Sequence, residues 1–445
     1  MSIFDGVRLT NEVFKLDVER MRRGWYSDKY FVNISRMLAA LAEQGYVYRG
    51  EPARAVPPSP ALRTGDLRVE MQWFTRRPGT TVVVGVDKAL AMLRHAAGSW
   101  DGDVFRPAWD DLEVWAVHDG AIVTGDGDPS RVQPVLRVRG RYRDFALLET
   151  PTLGVLTRGS RVATNVYDTL VAAGGKPVLF FPARFDLHEA QAADGYAYNI
   201  AVQRFNLDHG ARLGSFISTD AQGDWWGGSG GGTVAHAAIA CFLGDTAEAM
   251  AAFAAILPPE IPRIALVDFN NNSVRDSLRT AERMFRLYRE RLEAGDEAGA
   301  ARYVLYGVRL DTSRRLRDEG VPPLGDPELD LGVTPRLVFA VRQALDTAWD
   351  SWDLPENWRW RAAEYCRAVR IVVSGGFTAE RIRRFERLGV PADIYAVGSA
   401  LFANAGPSVT DFTADVVRVE IDGTWVPMAK VGREPGENPD LERVH

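Results

Sequence analysis

Short apolar runs alternating with polar positions dominate the first third of the chain. Leu67 to Thr75 and Thr81 to Val86 alternate or run β-branched, as do Leu112 to Val117, Ala121 to Thr124 and Gln133 to Val138, so each predicts a strand. Turns at Asp119-Gly120 and Gly125-Asp126-Gly127 separate them, and the proline-rich stretch Glu51 to Pro60 reads as an exposed loop. Asp28 to Gln44 has helical periodicity. Residues 1–144 therefore read as an α+β domain built on a curved antiparallel sheet.

From about Phe145 the pattern changes to short apolar strands, each followed by a helical stretch. The strands are Pro177 to Phe181, Ser215 to Ile217, Gly232 to Val234, Ile264 to Asp268, Tyr303 to Leu310, Arg370 to Val373 and Ile394 to Val397. About seven β/α units predict an irregular α/β barrel over residues 145–407. The last segment, 408–445, contains a hairpin, with Val416 to Ile421 and Thr424 to Val431 around the turn Asp422-Gly423. It has no helix to pair with, so it is expected to return to the N-terminal sheet.

Composition narrows the field of functions. The 445 residues are 46% hydrophobic and 25% charged, with a net charge of -6, so no global basic field awaits a nucleic acid. Only five of the 53 basic residues are lysine (Lys15, Lys29, Lys88, Lys176 and Lys430). Arginine grips phosphate and carboxylate bidentately, although a GC-rich genome gives the same bias. Cys241 and Cys366, both in apolar surroundings, cannot build a disulfide framework or a four-cysteine zinc site. The charged N-terminus lacks a signal-peptide core, and Ala235 to Pro258 is broken by Asp245, Thr246 and Glu248, so a cytoplasmic protein without a membrane span is expected.

The residues that follow the strands carry the candidate chemistry, because a parallel barrel brings all its strand C-termini to one face. Ser374-Gly375-Gly376 and Gly398-Ser399 are glycine turns, the first leading into a helix with Thr378 as N-cap and the second sharing its shape. Glycine admits an anion close to the backbone, and two such turns at the end of a barrel point to a phosphate site; singly, each is equally a tight turn. Arg309 and Asp311 stand two apart at a strand end and so face the same way. They suit a polar, negatively charged substrate, or a structural ion pair. Asp268 is a second acid at the preceding strand end. Either acid could help to hold a metal, but no spacing here is a metal motif. His236 opens an apolar helix, where a neutral imidazole could act as nucleophile or hydrogen-bond partner; a lone histidine is also commonly structural. Trp349, Trp352, Trp358 and Trp360 read as packing or subunit contact, while Trp225 and Trp226 beside a glycine run are ambiguous.

Taken in order, these motifs resemble the nicotinate phosphoribosyltransferases, within the type II phosphoribosyltransferases that also include the nicotinamide and quinolinate enzymes. The likeness covers most of the chain. Ser27-Asp28-Lys29-Tyr30-Phe31 resembles Thr-Asp-x-Tyr-Phe, and Phe145 to Gly154 resembles the segment joining sheet domain to barrel. Phe181-Pro-Ala-Arg184 resembles Phe-Gly-x-Arg-Arg; Ser218-Thr219 and Gly232-Thr-Val-Ala-His236 resemble a pair of family motifs. Val267-Asp268, Val308-Arg-Leu-Asp-Thr312, Val373-Ser-Gly-Gly376 and Ala396-Val-Gly-Ser399 complete the series. The sequence departs from the family where Phe185 replaces a second arginine, where residues 224–232 are rich in tryptophan and glycine, and in lacking a C-terminal cysteine cluster.

The resemblance implies ATP-coupled transfer of phosphoribosyl from phosphoribosyl pyrophosphate to nicotinate, giving nicotinate mononucleotide in NAD salvage, with Mg²⁺ and a homodimer whose active sites are shared. It implies Tyr30, with Asp28, serving the neighbouring subunit's site, Phe181 as the other ring-stacking aromatic and Arg184 as a substrate contact. Ser218 and Thr219 become substrate-binding, and His236 the phosphorylated histidine. Arg309, Asp311 and Asp268 become catalytic, and Ser374, Gly375, Gly376, Gly398 and Ser399 the 5'-phosphate site. The loss of arginine at Phe185 leaves nicotinamide or another heterocyclic base open, and a non-catalytic ligand-binding homologue is the reading from a different class.

Overall fold

The computed structural model describes residues 5–445. Its N-terminal sheet has six antiparallel strands in the order Thr424–Pro427, Phe412–Ile421, Arg68–Thr75, Leu136–Arg141, Glu113–Ala116 and Glu442–Arg443. The C-terminal hairpin does return here, with Phe412–Ile421 antiparallel to Arg68–Thr75. Alternation along Arg68–Thr75 sends Val69, Met71 and Trp73 into the core. On the other face, buried Glu70 pairs with Arg137, Arg139 and Arg418 from the flanking strands. Buried Gln72 is satisfied by the backbone of Glu434 and Gly436, so the tail seals this face.

Three details of the N-terminal reading change. The strand expected through Val86 is Gly79–Val82, and Val86–Ala96 is a helix. Gly85, at φ +108°, turns the chain there, and Asp119 Oδ1 accepts hydrogen bonds from the N–H groups of Gly85 and Val86. The strand expected over Gln133 to Val138 lies three residues later, and a hairpin of Gly98–Asp101 with Val104–Pro107 was not legible as one. The helix Lys29–Glu43 and the irregular 51–60 segment follow the sequence pattern.

The parallel sheet runs Val178–Phe180, Ile394–Val397, Arg370–Val373, Gly307–Leu310, Ile264–Leu266. Parallel bridges Phe180–Ile217 and Ile217–Gly230 extend it on the far side of Val178–Phe180. Seven staves therefore follow one another in chain order and return to the first, as in a barrel, with no bridge between the Gly230 and Ile264 staves. The stave expected at Gly232 to Val234 is instead the contact at Gly230, and Tyr303 to Tyr306 precede the strand that begins at Gly307.

Period-two alternation divides these strands between two environments. Phe180, Val308, Leu310, Ile371, Val373, Tyr395 and Val397 pack outward in the main core. Leu179, Ile264, Val372, Ile394 and Ala396 form a second, inner cluster with Phe181, Phe216 and Tyr306. The surrounding helices start on side-chain caps from Asp245, Asn272, Thr334 and Thr378, fixing where each strand-end loop stops. The helix Glu149–Ala172 packs against both the sheet domain and barrel helix Gln191–His209. No helix of the described residues is long and apolar enough to cross a membrane.

Candidate functional site

Arg309 is the centre of the barrel mouth. It pairs in register with Leu266 and Val372, and its flanking residues Val308 and Leu310 face the outer core, so alternation sends the guanidinium inward. It lies 5.8 Å from the Phe181 ring, donates to the Val234 carbonyl at 3.3 Å and leaves Nε buried without a partner. Burial lowers its pKa, the charges of Asp311 and Asp268 raise it, and that of Arg184 lowers it further. A buried cation with an unused donor is a receptor for an anionic or carbonyl group.

Two residues on, Asp311 is held by Ser374, whose hydroxyl donates to Asp311 Oδ1 at 2.7 Å and to the Leu310 carbonyl at 3.0 Å. Asp268 Oδ1 and Oδ2 lie 3.0 and 3.2 Å from His236 Nε2. Burial raises the Asp268 carboxyl's pKa; His236 counteracts this and Asp311 adds to it. The histidine opens a helix of only six residues, His236–Cys241, rather than a long one. Its partner is the aspartate across the unbridged seam of the barrel. His236, Asp268 and Asp311 each offer one ligand atom, and these lie within 4.8 Å of one another. Two carboxylate oxygens suit a hard cation such as Mg²⁺; the imidazole nitrogen suits it less.

The two glycine turns differ. Gly375 and Gly376 have φ of +88° and +73°, and the helix Ala379–Arg387 follows with Thr378 as its cap. Two arginines crowd this turn: Arg314 donates to the Gly376 carbonyl, and Arg381 to the Gly375 carbonyl at 3.0 Å. Arg381 lies 4.2 Å over the Phe377 ring, and burial, aided by Arg314 and Arg384, pushes its pKa down to about 10. Gly398 instead has φ -113°, and exposed Ser399 begins a four-residue 3-10 turn, so this unit lacks the helix its sequence implied. A Cβ on Gly398 would come within 2.5 Å of the Phe185 ring. Phe185 thus lies on the glycine that was expected to face phosphate, and Arg184 lies 5.3 Å over it.

The other sequence candidates are distributed as follows. Phe181 stands at the inner cluster, 6.1 Å from Phe216. Ser218 and Thr219 are occupied locally: both backbone N–H groups and the Ser218 hydroxyl donate to Gln222 Oε1, while the Thr219 hydroxyl donates to Gln191. Asp28 and exposed Tyr30 bond to each other and, through Asp28, to Thr150 at the start of the long helix. None of their hydrogen bonds among the described residues reaches the barrel mouth of the same chain. Of the two cysteines, Cys366 is buried with its thiol pushed up to about 12, whereas Cys241 is exposed, contrary to its apolar sequence surroundings. Arg314 and Arg381 were missed. Their signal was present, since one lies two residues past Thr312 and the other three past the Thr378 cap.

An antiparallel sheet domain set before a parallel α/β barrel, with a buried cation, two acids and glycine turns at the mouth, defines a two-part barrel protein with its charged side chains gathered at one end. Known proteins narrow this class. The family described as quinolinate phosphoribosyl transferase, N-terminal domain, matches residues 59–160. Nicotinate phosphoribosyltransferases 1 and 2 of Arabidopsis thaliana are 31% identical over 135 residues and 33% over 136. These matches cover 30% of this chain and 21% of each relative, so the chain spans about a fifth of the curated proteins it matches. The solved nicotinate-nucleotide pyrophosphorylase from Pyrococcus furiosus shares the fold over 96% of this chain and 85% of its own, with TM-score 0.61 and 23% identity. Human nicotinic acid phosphoribosyltransferase matches over 88% and 74%, with TM-score 0.50 and 16% identity. The chain thus shares the fold of these solved enzymes, and its residues 59–160 match the N-terminal domain of the quinolinate phosphoribosyl transferases.

Proposed function

We propose that the protein transfers the 5-phosphoribosyl group of phosphoribosyl pyrophosphate to the ring nitrogen of nicotinate, giving nicotinate mononucleotide and pyrophosphate. The observation that carries this is the convergence of Arg309, Asp311 and the His236–Asp268 pair at one barrel mouth beside the arginine-flanked Gly375-Gly376 turn. As pyrophosphate leaves, positive charge grows at ribose C1, so the protein orients the reactants and stabilises charge and needs no nucleophile on carbon. Arg309 meets an anionic group at the ring or the diphosphate, and Phe181 lines the ring's side. Asp311, held by Ser374, accepts from ribose hydroxyls. Gly375 and Gly376, with Arg314 and Arg381 behind them, receive the 5'-phosphate. Asp268 and Asp311 would hold Mg²⁺, which when bound neutralises charge on the diphosphate. Tyr30 and Asp28 serve the site of a second copy in a homodimer, the role consistent with their distance from their own barrel's hydrogen-bond network.

His236 is the residue for ATP coupling. Asp268 holds Nε2, and the ring takes the terminal phosphoryl of ATP, releasing ADP; hydrolysis of that phosphohistidine to phosphate then accompanies nucleotide formation. Replacing His236 with Ala should abolish nicotinate-dependent ATP consumption, and unchanged consumption would refute this role.

A second base has a specific observation behind it. Phe185, on Gly398, stands where a second arginine would face a carboxylate, and the matched N-terminal family is that of quinolinate transferases. Steady-state rates with nicotinate, nicotinamide and quinolinate separate the readings. Nicotinate being inert while another base turns over would replace the first choice; phosphoribosyl pyrophosphate binding without pyrophosphate release from any base would leave the non-catalytic reading.

A further inference from the structure

Away from the barrel mouth lies a cavity of about 220 Å³ whose walls come from three parts of the chain. The sheet domain gives Phe14 and Lys88, the long helix gives Gly154 and Arg158, and the barrel gives Tyr196 and Trp225. Its volume is below that of a typical drug-sized pocket and matches a single-ring molecule.

One of its charges lacks an ion-pair partner among the described residues. Lys88 has no hydrogen bond or ion pair among the described residues; its ammonium lies 4.7 Å from the Trp225 ring and 6.0 Å from that of Phe14. Burial lowers its pKa, with no neighbouring carboxylate acting to restore it. The other charges at the cavity are already engaged. Arg158 is held by Asp194 and Asp186, and Asp119 accepts from Gly85, Val86 and the Tyr196 hydroxyl. Glu189, at the rim, is exposed. The remaining surface is apolar, and its aromatic part sets Phe14 edge-on to Trp225 at 5.0 Å and Tyr196 5.9 Å from Trp225.

Space is also kept open. Gly154 lies inside the helix Glu149–Ala172, where glycine is less favourable than alanine, yet a Cβ there would meet nothing within 4 Å. Gly159, one turn further on, is different, because its Cβ would come within 2.6 Å of the Val84 carbonyl. Packing therefore requires the second glycine and not the first, which is exposed at the cavity wall.

We infer that this cavity is a binding site, separate from the barrel mouth, for a small planar carboxylate, its anion against Lys88 and its ring against the wall formed by Trp225, Phe14 and Tyr196. The inference does not depend on the proposed reaction. Two barrel loops contribute walls, Glu189-Ala190 just beyond Arg184 and Trp225 just beyond Thr219, so an occupant braces segments that lead to the mouth.

Calorimetric titration of the full chain with benzoate, and with benzamide as the neutral isostere, tests this without turnover. Benzoate should bind saturably and benzamide should not; Lys88→Met should weaken benzoate by about tenfold or more, since a charge-assisted contact is lost. Gly154→Leu should fill the space and abolish binding, while Gly154→Ala should bind benzoate and melt at or above the wild-type temperature. Absence of saturable binding overturns the inference, as does benzoate binding that ignores both Lys88→Met and Gly154→Leu, which would put the ligand in the barrel mouth. If Gly154→Leu fails to fold, Lys88→Met decides alone.

Discussion

Arg309 and Asp119 show how much one residue's surroundings add to its identity. Arg309 reads from the sequence as half of a structural ion pair or as a substrate contact, and the structure shows a guanidinium without an ion-pair partner among the described residues, with Nε unused. Arg309→Met should therefore cost about 10²–10³ in kcat/KM, as loss of a preorganised donor does, with little loss of thermal stability. A fall in Tm with unaltered kinetics would make it a structural residue. Asp119 carried no sequence signal beyond its turn. Burial, with the charge of Asp87, raises its carboxyl to about 7 against the bonds from Gly85 and Val86 and the charge of Arg8. Because the folded pKa is above the unfolded value, the folded state holds the extra proton, so this group's contribution is fully present below about pH 4 and is lost as pH rises towards 7. Asp119→Asn keeps an acceptor for both N–H groups and removes the ionisation. Unfolding free energies between pH 4 and 8 should therefore fall less with rising pH in the variant; parallel profiles would contradict this assignment.

At the scale of elements, the sequence was read well where one period was unambiguous. The hairpin strand expected over Val416 to Ile421, which begins already at Phe412, returns to the N-terminal sheet as expected, and the glycine turn after Val373 leads to a capped helix. It was misread where a β-branched run crossed a boundary. Thr81 to Val86 looks like one strand, but Gly85 and the distant Asp119 convert its end into a helix start, a tertiary cause invisible in a local window. Ala396-Val-Gly-Ser399 copied the preceding motif without copying its φ or its helix. The first turn is thus the stronger candidate for the proposed phosphate site. Gly376→Ala places a Cβ at φ +73° and 2.5 Å from the Arg314 guanidinium, and should raise the KM for phosphoribosyl pyrophosphate by about tenfold; an unchanged KM would remove the turn from the site. In the sheet domain, Glu70→Gln leaves Arg137, Arg139 and Arg418 without their shared buried carboxylate. Urea unfolding should show a loss of about 3 kcal/mol, and a loss below 1 kcal/mol would mean the arginines re-solvate freely.

The whole molecule joins ends that are far apart in sequence. Arg68–Thr75 needs residues 412–421 and the cover of residues 434–436, and the barrel's last stave lies beside its first. Chain order made the barrel legible, because seven β/α units in succession have few ways to close. The cavity at Lys88 was not legible, since its walls come from Phe14, Gly154 and Trp225, which no motif connects. Tyr30 and Asp28 lie on the sheet-domain side, by Thr150, which fits the proposed sharing of sites between two copies. Mixing equal amounts of Tyr30→Ala and His236→Ala chains, each without nicotinate-dependent ATP consumption alone, should then restore about a quarter of the wild-type consumption through hybrid dimers with one intact site. No recovery after subunit exchange would confine each site to one chain.

The central claim concerns the reaction at the barrel mouth. Its most direct test is the formation of mononucleotide and pyrophosphate by the purified chain with phosphoribosyl pyrophosphate, nicotinate, Mg²⁺ and ATP. The account predicts nicotinate mononucleotide and pyrophosphate in equal amounts, formed about 10²–10³ times more slowly by Arg309→Met; no pyrophosphate release with nicotinate would contradict it.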